Sequence, residues 1–184
     1  KFVGKMGVSL QRMEQLIQSM LKITRLDSGS IVFERQDILV TELIDRAVRD
    51  LQTRAGQEGK GIQLKGDTAE HLSCDAEWTV EALGNLVKNA LDHTATGGHI
   101  RIVWSRTPAM LQIQVSDNGS GIAPEDIHHI FKRFYRSRHS LDAPGIGLGL
   151  PLAKSIIEGQ GGVITVQSVE GEGATFTVSF LTKL

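Results

Sequence analysis

Two eight-residue runs, "HIRIVWSR" (His99 to Arg106) and "MLQIQVSD" (Met110 to Asp117), alternate partly between apolar and polar and are separated only by "TPA". Three residues cannot carry a chain back for parallel pairing, which needs a crossover of about a dozen residues or more. The two runs therefore predict an antiparallel hairpin, and with it no purely parallel sheet is possible. Helical and strand patterns interleave around them. "SIVFE" (Ser30 to Glu34) reads as a short strand, and "TELIDRAVRDLQTRAGQEG" as an amphipathic helix with Thr41 at its N-cap. "GIQLKG" and "EHLSCD" read as strands, the second leading into a helix from Ala76 to Leu91 that buries Val80, Leu83, Val87 and Ala90. "NGSGIAPEDIHHIF" is expected to turn into a short helix with Pro124 near its start. A further helix follows Gly149, with Pro151 in its first turn, and "GVITVQSV" and "ATFTVSFLTKL" close the chain as two strands joined by "EGEG". The predicted class is α+β: a mixed sheet with helices on one face, in a two-layer sandwich.

Upstream lies a different pattern. Val3, Leu10 and Ile17 occupy one position of a seven-residue repeat and Met6, Met13 and Met20 another, which predicts one long helix. Leu16, Leu21 and Ile23 widen its apolar stripe toward what a four-helix bundle buries. "DSGS" ends the repeat, with Gly29 suited to terminating a helix, so residues 1–29 and 30–184 are expected to be separate units. A helix folded onto its own domain is the other arrangement open to this pattern. The formal net charge is only −1, which lacks the basic footprint of a general nucleic-acid binder. The single cysteine, Cys74, excludes an internal disulfide and reads as a small buried hydrophobe. No apolar run approaches ~18 residues, so this piece is expected to be soluble, and its start at Lys1 suggests a fragment of something longer.

"APGIGLGLPLAKSIIEGQGG" (Ala143 to Gly162) sets glycines in front of an amphipathic run, a good seat for an anion because unpaired N–H groups point outward at a helix start. A P-loop is ruled out, since no Lys-Ser or Lys-Thr follows Gly145, Gly147 or Gly149. A dinucleotide fingerprint is ruled out too, because "FKRFYRSRHSLDAP" precedes the glycines where a strand is required. Elsewhere, Asn85 and Asn89 stand four apart in "EALGNLVKNALDHT", with their amides on one helical face. An asparagine oxygen suits Mg²⁺ already partly coordinated by phosphate, although a solvated helix face also carries such pairs. "DNGSGI" (Asp117 to Ile122) ends a strand with a carboxylate able to accept from an exocyclic amine such as that of adenine; an ordinary turn has the same composition. In "EGEGATFTV", Gly171 and Gly173 flank a tight connection and Thr175 offers a hydroxyl.

The order of these parts resembles the catalytic domain of bacterial sensor histidine kinases, in the superfamily that includes gyrase, Hsp90 and MutL. "NLVKNALDHT" is similar to the family's N box, "DNGSGI" to its G1 box, "IFKRFYR" to its F box, "GIGLGL" to its G2 box and "GEGATF" to its G3 box, while "RMEQLIQSMLKITRLDSG" resembles the second helix of the dimerisation and phosphotransfer hairpin. The resemblance covers nearly the whole chain. It implies a Bergerat-type fold with ATP and Mg²⁺ as cofactors, Asn89 as the Mg²⁺ ligand, and Asn85 where ATP-hydrolysing relatives carry a catalytic glutamate. Asp117 would accept from the adenine amino group, with Gly119, Gly121 and Ile122 close to the base. Gly145, Gly147 and Gly149 would present amides to the phosphates, with Ile146, Leu148, Leu150 and Thr175 among the nucleotide contacts. Residues from about Phe131 to Leu148 would form a lid in which Tyr135 and Arg136 approach the nucleotide, Arg136 stabilising charge on the transferring phosphoryl group. Disorder is expected around Ser137 to Pro144 without nucleotide.

Two departures accompany the resemblance. Asp92 and His93 stand where many members have a basic residue and a tyrosine; His93 retains a ring to stack on adenine, and Lys88 is expected on a different side of the helix from Asn85. The family's phosphoacceptor is a histidine followed by an acidic residue and then a basic-Thr/Asn-Pro pattern; none of His71, His93, His99, His128, His129 or His139 stands in that context, so the acceptor is expected upstream of Lys1. The implied activity is transfer of the ATP γ-phosphoryl group to that histidine and then to an aspartate of a response-regulator receiver domain. The resemblance further implies a homodimer in the intact protein, a cytoplasmic location, and attachment to a membrane only through segments outside this chain. The alternatives are a nucleotide-binding pseudokinase or scaffold, which Asp92 favours, and a conformational ATPase of the gyrase or Hsp90 type, which Asn85 disfavours.

Overall fold

The computed structural model of the protein describes residues 2–137 and 145–181, with side chains at positions 9, 10 and from 13 onward. Helix α1 (Phe2–Asp27) is followed by strand β1 (Gln36–Leu39), helix α2 (Val40–Gln57), and strands β2 (Gly61–Lys65) and β3 (His71–Cys74). Helix α3 (Ala76–His93), the hairpin β4 (His99–Arg106) and β5 (Met110–Asp117), helix α4 (Gly149–Gly159), and strands β6 (Val163–Val169) and β7 (Gly173–Leu181) complete the fold. Five strands form one sheet in the order β2-β4-β5-β7-β6, and β1 pairs with β3 in a separate two-stranded ribbon. Only β2 and β4 run parallel in the larger sheet; β4–β5, β5–β7 and β6–β7 are antiparallel. The sheet is mixed, as the short "TPA" connection requires.

The alternation along β4, β5 and β7 decides which face is covered. Ile100, Ile102, Trp104, Ile113, Val115, Phe176 and Val178 are buried against α2, α3 and α4. The intervening positions, among them Gln112, Gln114, Thr175 and Thr177, face the other way and remain partly exposed. A period of two with one apolar face is the pattern of a sheet covered on one side. Cys74 is fully buried, and burial raises its thiol pKa.

Local details depart from expectation in three places. "SIVFE" is not a strand; the ribbon strand begins two residues later, at Gln36. The segment before it is pinned by side chains instead: the Glu34 amide donates to Asp75 Oδ2 at 2.9 Å and the Phe33 ring meets Trp78 edge-on. Helix α2 starts at Val40, with Leu39 rather than Thr41 at the N-cap and no side-chain cap. Its first N–H is satisfied elsewhere, since Val40 donates to the Glu70 carbonyl at 2.8 Å and is itself fully buried. The segment after Pro124 is a run of turns, because bonds such as His129 N–H to Asp126 O and Lys132 N–H to His129 O close over three residues and never settle into an α-helical ladder.

Helix α1 ends where the sequence indicates, with Gly29 in the left-handed region at φ 65°. It lies against the rest of the molecule through one face: Ile23 is 1% exposed, Leu16 and Leu26 pack on the core, and Lys22 pairs with Glu81 of α3 at 2.6 Å. Leu10, Met13, Ile17 and Leu21 point outward into solvent. The Val3 and Met6 side chains lie outside the described residues.

Candidate functional site

One cleft of about 390 Å³ opens between α3, the loop after β5, the segment before α4 and the α4 N-terminus. Its floor is a stripe on α3. Asn85, Lys88, Asn89 and Asp92 all line it, at the spacing that repeats on one helical face. Lys88 therefore does not lie on a different side from Asn85: three residues rotate a helix by about 300°, which leaves the two only about 60° apart. Asn85 Nδ2 donates to the Glu81 carbonyl at 3.1 Å, which commits the amide nitrogen and turns the oxygen toward α4. There a Cβ on Gly149 would stand 3.2 Å from Asn85 Oδ1.

The opposite end holds Asp117 and His93. Asp117 Oδ1 accepts from the Gly119 amide at 2.9 Å. Burial raises the Asp117 pKa above 3.8, against the lowering effect of the Gly119 and Ala174 amides and of His93. Burial likewise lowers the His93 pKa below 6.5 and Arg136 adds to this, opposed by Asp92 and Asp117. A neutral imidazole beside a desolvated carboxylate makes this end suited to a flat heteroaromatic ring carrying a donor.

Two of the residues expected at the nucleotide, Gly119 and Thr175, are not among those that line the cleft. Gly119 serves packing: a Cβ there would overlap the His93 carbonyl, and the adjacent Ser120 N–H donates to that same oxygen at 3.2 Å. Thr175 turns its hydroxyl to Ser116 Oγ at 2.9 Å across the β5–β7 pair, and its neighbour Ala174 lines the cleft. Gly121, Ile122, Tyr135, Arg136 and the run from Gly145 to Leu150 are all brought to the cleft.

The glycine-rich segment is held by its partner strip. Phe134 N–H donates to Gly147 O at 2.9 Å, and a Cβ on Gly147, at φ 75°, would come 2.7 Å from the Tyr135 carbonyl. Phe134 itself adopts φ 61°, the one non-glycine in the left-handed region among the described residues. Tyr135 is fixed by a hydroxyl bond to Asp126 and by ring contact with His129 at 5.5 Å. No side chain caps α4 at Leu148, so its first turn faces the cleft with bare backbone. The expected disorder from Ser137 to Pro144 falls, beyond Ser137 itself, outside the described residues.

Asp92 is not free to act as a simple ligand. Its side chain, 7% exposed, pairs with Arg54 of α2 at 2.7 Å and with Lys88 at 3.1 Å. Burial pulls the Arg54 pKa down, but hydrogen bonds to Glu58 and Asp92 more than offset this and leave it raised. The sequence reading also missed Gln15 and Ser19, which line the cleft from α1. Their four-residue spacing matches that of Asn85 and Asn89, and polar residues at that interval on an apolar helix were the available signal.

Among the described residues no cluster of His, Cys, Asp and Glu is able to hold a metal. Two amide oxygens alone are a weak set for a free divalent cation, and they fit Mg²⁺ that arrives already coordinated by phosphate oxygens.

Residues 74–184 match the family described as histidine kinase-, DNA gyrase B-, and HSP90-like ATPase. The chain is 30% identical over 171 residues to the sensor histidine kinase WalK of Bacillus subtilis, covering 91% of this chain and 28% of that protein. It is 32% identical over 176 residues to the sensor protein kinase PmrB of Pseudomonas aeruginosa, covering 95% of this chain and 36% of that protein. The chain thus spans well under half the length of these relatives. Among solved structures, full-length ShkA in complex with AMPPNP superposes with a TM-score of 0.87 at 22% identity, over 100% of this chain and 39% of that one. The Acinetobacter baumannii histidine kinase AdeS gives 0.84 at 18% identity, over 99% of this chain and 84% of that one. Both show the same fold, including a counterpart of α1. The chain belongs to the histidine kinase-, DNA gyrase B-, and HSP90-like ATPase family.

Proposed function

We propose that this chain is the ATP-binding kinase part of a sensor histidine kinase, with residues 30–184 forming the catalytic unit and residues 1–29 one helix of a dimerisation hairpin. The observation that carries this is the arrangement of α3: two amides, Asn85 and Asn89, line a cleft in which Asn85 stands against Gly149 at the bare N-terminus of α4, while a desolvated carboxylate, Asp117, stands at the far end of the same cleft. A purine with an amino donor fits the Asp117 end, and a chain of phosphates fits the α4 end.

Asn89 would hold Mg²⁺ together with the phosphates, and the ion would supply neutralisation of phosphate charge. Arg136, on the strip before the glycines, would meet charge developing on the γ-phosphoryl group. In the transfer the bond from the γ-phosphorus to the bridging oxygen of ADP breaks as a bond to an imidazole nitrogen forms. Asn85 carries no basic carboxylate, so it is a poor activator of water, which favours transfer to a protein acceptor over steady hydrolysis. The acceptor histidine belongs to a sequence context that none of the six histidines here possesses. From it the phosphoryl group would pass to an aspartate of a response-regulator receiver domain, in a homodimer on the cytoplasmic side of a membrane sensor. Asp92 does not favour a pseudokinase, because Arg54 and Lys88 compensate its charge.

Calorimetric titration with Mg²⁺–AMPPNP tests the reading. Saturable binding that Asn89→Ala weakens and Asp117→Asn abolishes is expected; no uptake at millimolar ligand would leave only a scaffold.

A further inference from the structure

We propose that Lys88 is the switchable cation of the cleft: it leaves Asp92 for the triphosphate of the nucleotide, and Arg54 alone then holds the charge of Asp92. The inference deepens the nucleotide-binding reading above and rests on it.

Lys88 lies between Asn85 and Asn89 in sequence, on the α3 stripe that lines the cleft. Its ammonium sits 3.1 Å from Asp92 Oδ2, and its side chain is half-exposed, so rotating it costs little desolvation. Asp92 is different. It is nearly fully buried, and a buried carboxylate stripped of every partner is costly. Arg54 removes that difficulty, because its Nη2 already donates to the other oxygen, Oδ1, at 2.7 Å. Arg54 is itself anchored by Glu58 at 2.6 Å, and Glu58 by Lys60, whose ammonium also donates to the Leu91 carbonyl at 2.9 Å. Hydrogen bonds from Lys60 and Arg54 keep the Glu58 pKa low, so this chain of charges persists across neutral pH.

One partner of Asp92 is thus fixed from α2 and one is loose at the cleft. A point charge on a flexible stem suits a phosphate chain, whereas the planar fork of Arg54 suits the carboxylate it already meets. Without Arg54, a lysine four residues before an aspartate would simply be a helical ion pair.

The test is calorimetry on the chain with two ligands, Mg²⁺–AMPPNP and adenosine, in the wild type, Lys88→Gln, Lys88→Arg and Asp92→Asn. Lys88→Gln is expected to weaken AMPPNP about two- to fivefold, the size of one lost partly exposed charge pair, to flatten its salt dependence, and to leave adenosine unchanged. Lys88→Arg should restore most of the loss, and Asp92→Asn should tighten AMPPNP by releasing the ammonium. Equal losses for both ligands in Lys88→Gln, or AMPPNP binding unchanged in that variant, would overturn the switch while the nucleotide site stands. A weaker AMPPNP complex in Asp92→Asn would overturn it as well. A wild type that takes up neither ligand would overturn the nucleotide reading itself, and this inference with it.

Discussion

Gly149 at the start of α4 stands so close to Asn85 of α3 that an added Cβ would lie 3.2 Å from the amide oxygen. That contact is tight but not prohibitive, and the amide is the flexible partner. Gly149→Ala places a better helix former in the first turn, worth up to about 1 kcal/mol to the helix. The expected result is a melting temperature unchanged or raised together with weaker Mg²⁺–AMPPNP binding, because Asn85 must turn away. Thermal melting and calorimetry on the same sample check both halves.

Asp117 gives a second separation of stability from binding. Its folded pKa is raised above 3.8, so the ionised carboxylate is disfavoured by the fold. The stability penalty is fully present above the folded pKa and disappears as pH falls below the unfolded value. Asp117→Asn keeps an acceptor for the Gly119 amide and removes the charge, and is expected to match or exceed the wild type in melting temperature at pH 7. Nucleotide binding should be lost in the same variant, since an amide turned to keep the Gly119 bond presents N–H toward the adenine amine. In the wild type, affinity should fall on acidification at a pH above that of an ordinary aspartate. A variant that binds well and melts lower would contradict both parts.

His93 titrates in the opposite sense. Its folded pKa lies below 6.5, mainly through burial, so the unfolded chain takes up a proton that the native one refuses. Stability is therefore intact above pH 6.5 and declines as pH falls from there to the native midpoint. A proton NMR titration should place His93 below 6.5, and His93→Gln should remove its share of the acid slope in denaturant unfolding. A midpoint at or above 6.5 would count against the burial.

Much of this site was legible because its parts are local. The hairpin, the spacing of Asn85 and Asn89, and the glycines before α4 are all properties of neighbouring residues, and each lies at its expected place in the fold. What escaped depends on contacts far apart in sequence. The "SIVFE" segment has strand composition, yet Asp75 and Trp78 claim its backbone and ring, 41 residues on in the case of Glu34. Val40 starts α2 because Glu70 accepts its amide, which no cap rule at Thr41 foresees. Asp92 looked like an anion at a phosphate site, and only the approach of Arg54 from 38 residues away reveals what it holds. Gln15 and Ser19 reach the cleft only because α1 docks on the rest of the molecule through Ile23, Leu16 and Leu26.

Two glycines of one connection separate backbone strain from packing. Gly171 and Gly173 flank Glu172 with φ of 83° and 111°, both unfavourable for an L side chain. Nothing lies within 4 Å of a Cβ at Gly171, whereas a Cβ at Gly173 would overlap the Asp117 carbonyl and crowd Asn118. Gly171→Ala is expected to cost about 1–2 kcal/mol from strain alone. Gly173→Ala should cost about 3 kcal/mol or more, because overlap with rigid backbone adds to strain, and it should displace the loop that carries Asp117. Denaturant unfolding of both variants distinguishes the terms, and equal losses would mean that the approach of β7 to Asp117 is looser than described.

Ile23 and Ile17 carry the last prediction, since one helix presents them to different surroundings. Ile23 is 1% exposed beneath α1 and Ile17 is 53% exposed on its outer side. Truncating Ile23 to Ala leaves a hole between α1 and the core, and about 2–4 kcal/mol of the docking of α1 should be lost. Hydrogen exchange should then accelerate along α1, and the Lys22–Glu81 and Asp27–Arg133 pairs should no longer hold it in place. Ile17→Ala should leave the dilute chain unchanged, but weaken any self-association measured by sedimentation, because Leu10, Met13, Ile17 and Leu21 form an apolar outer stripe that this chain alone does not cover. Loss of α1 protection on truncating Ile17 rather than Ile23 would mean that the helix is held by its other face.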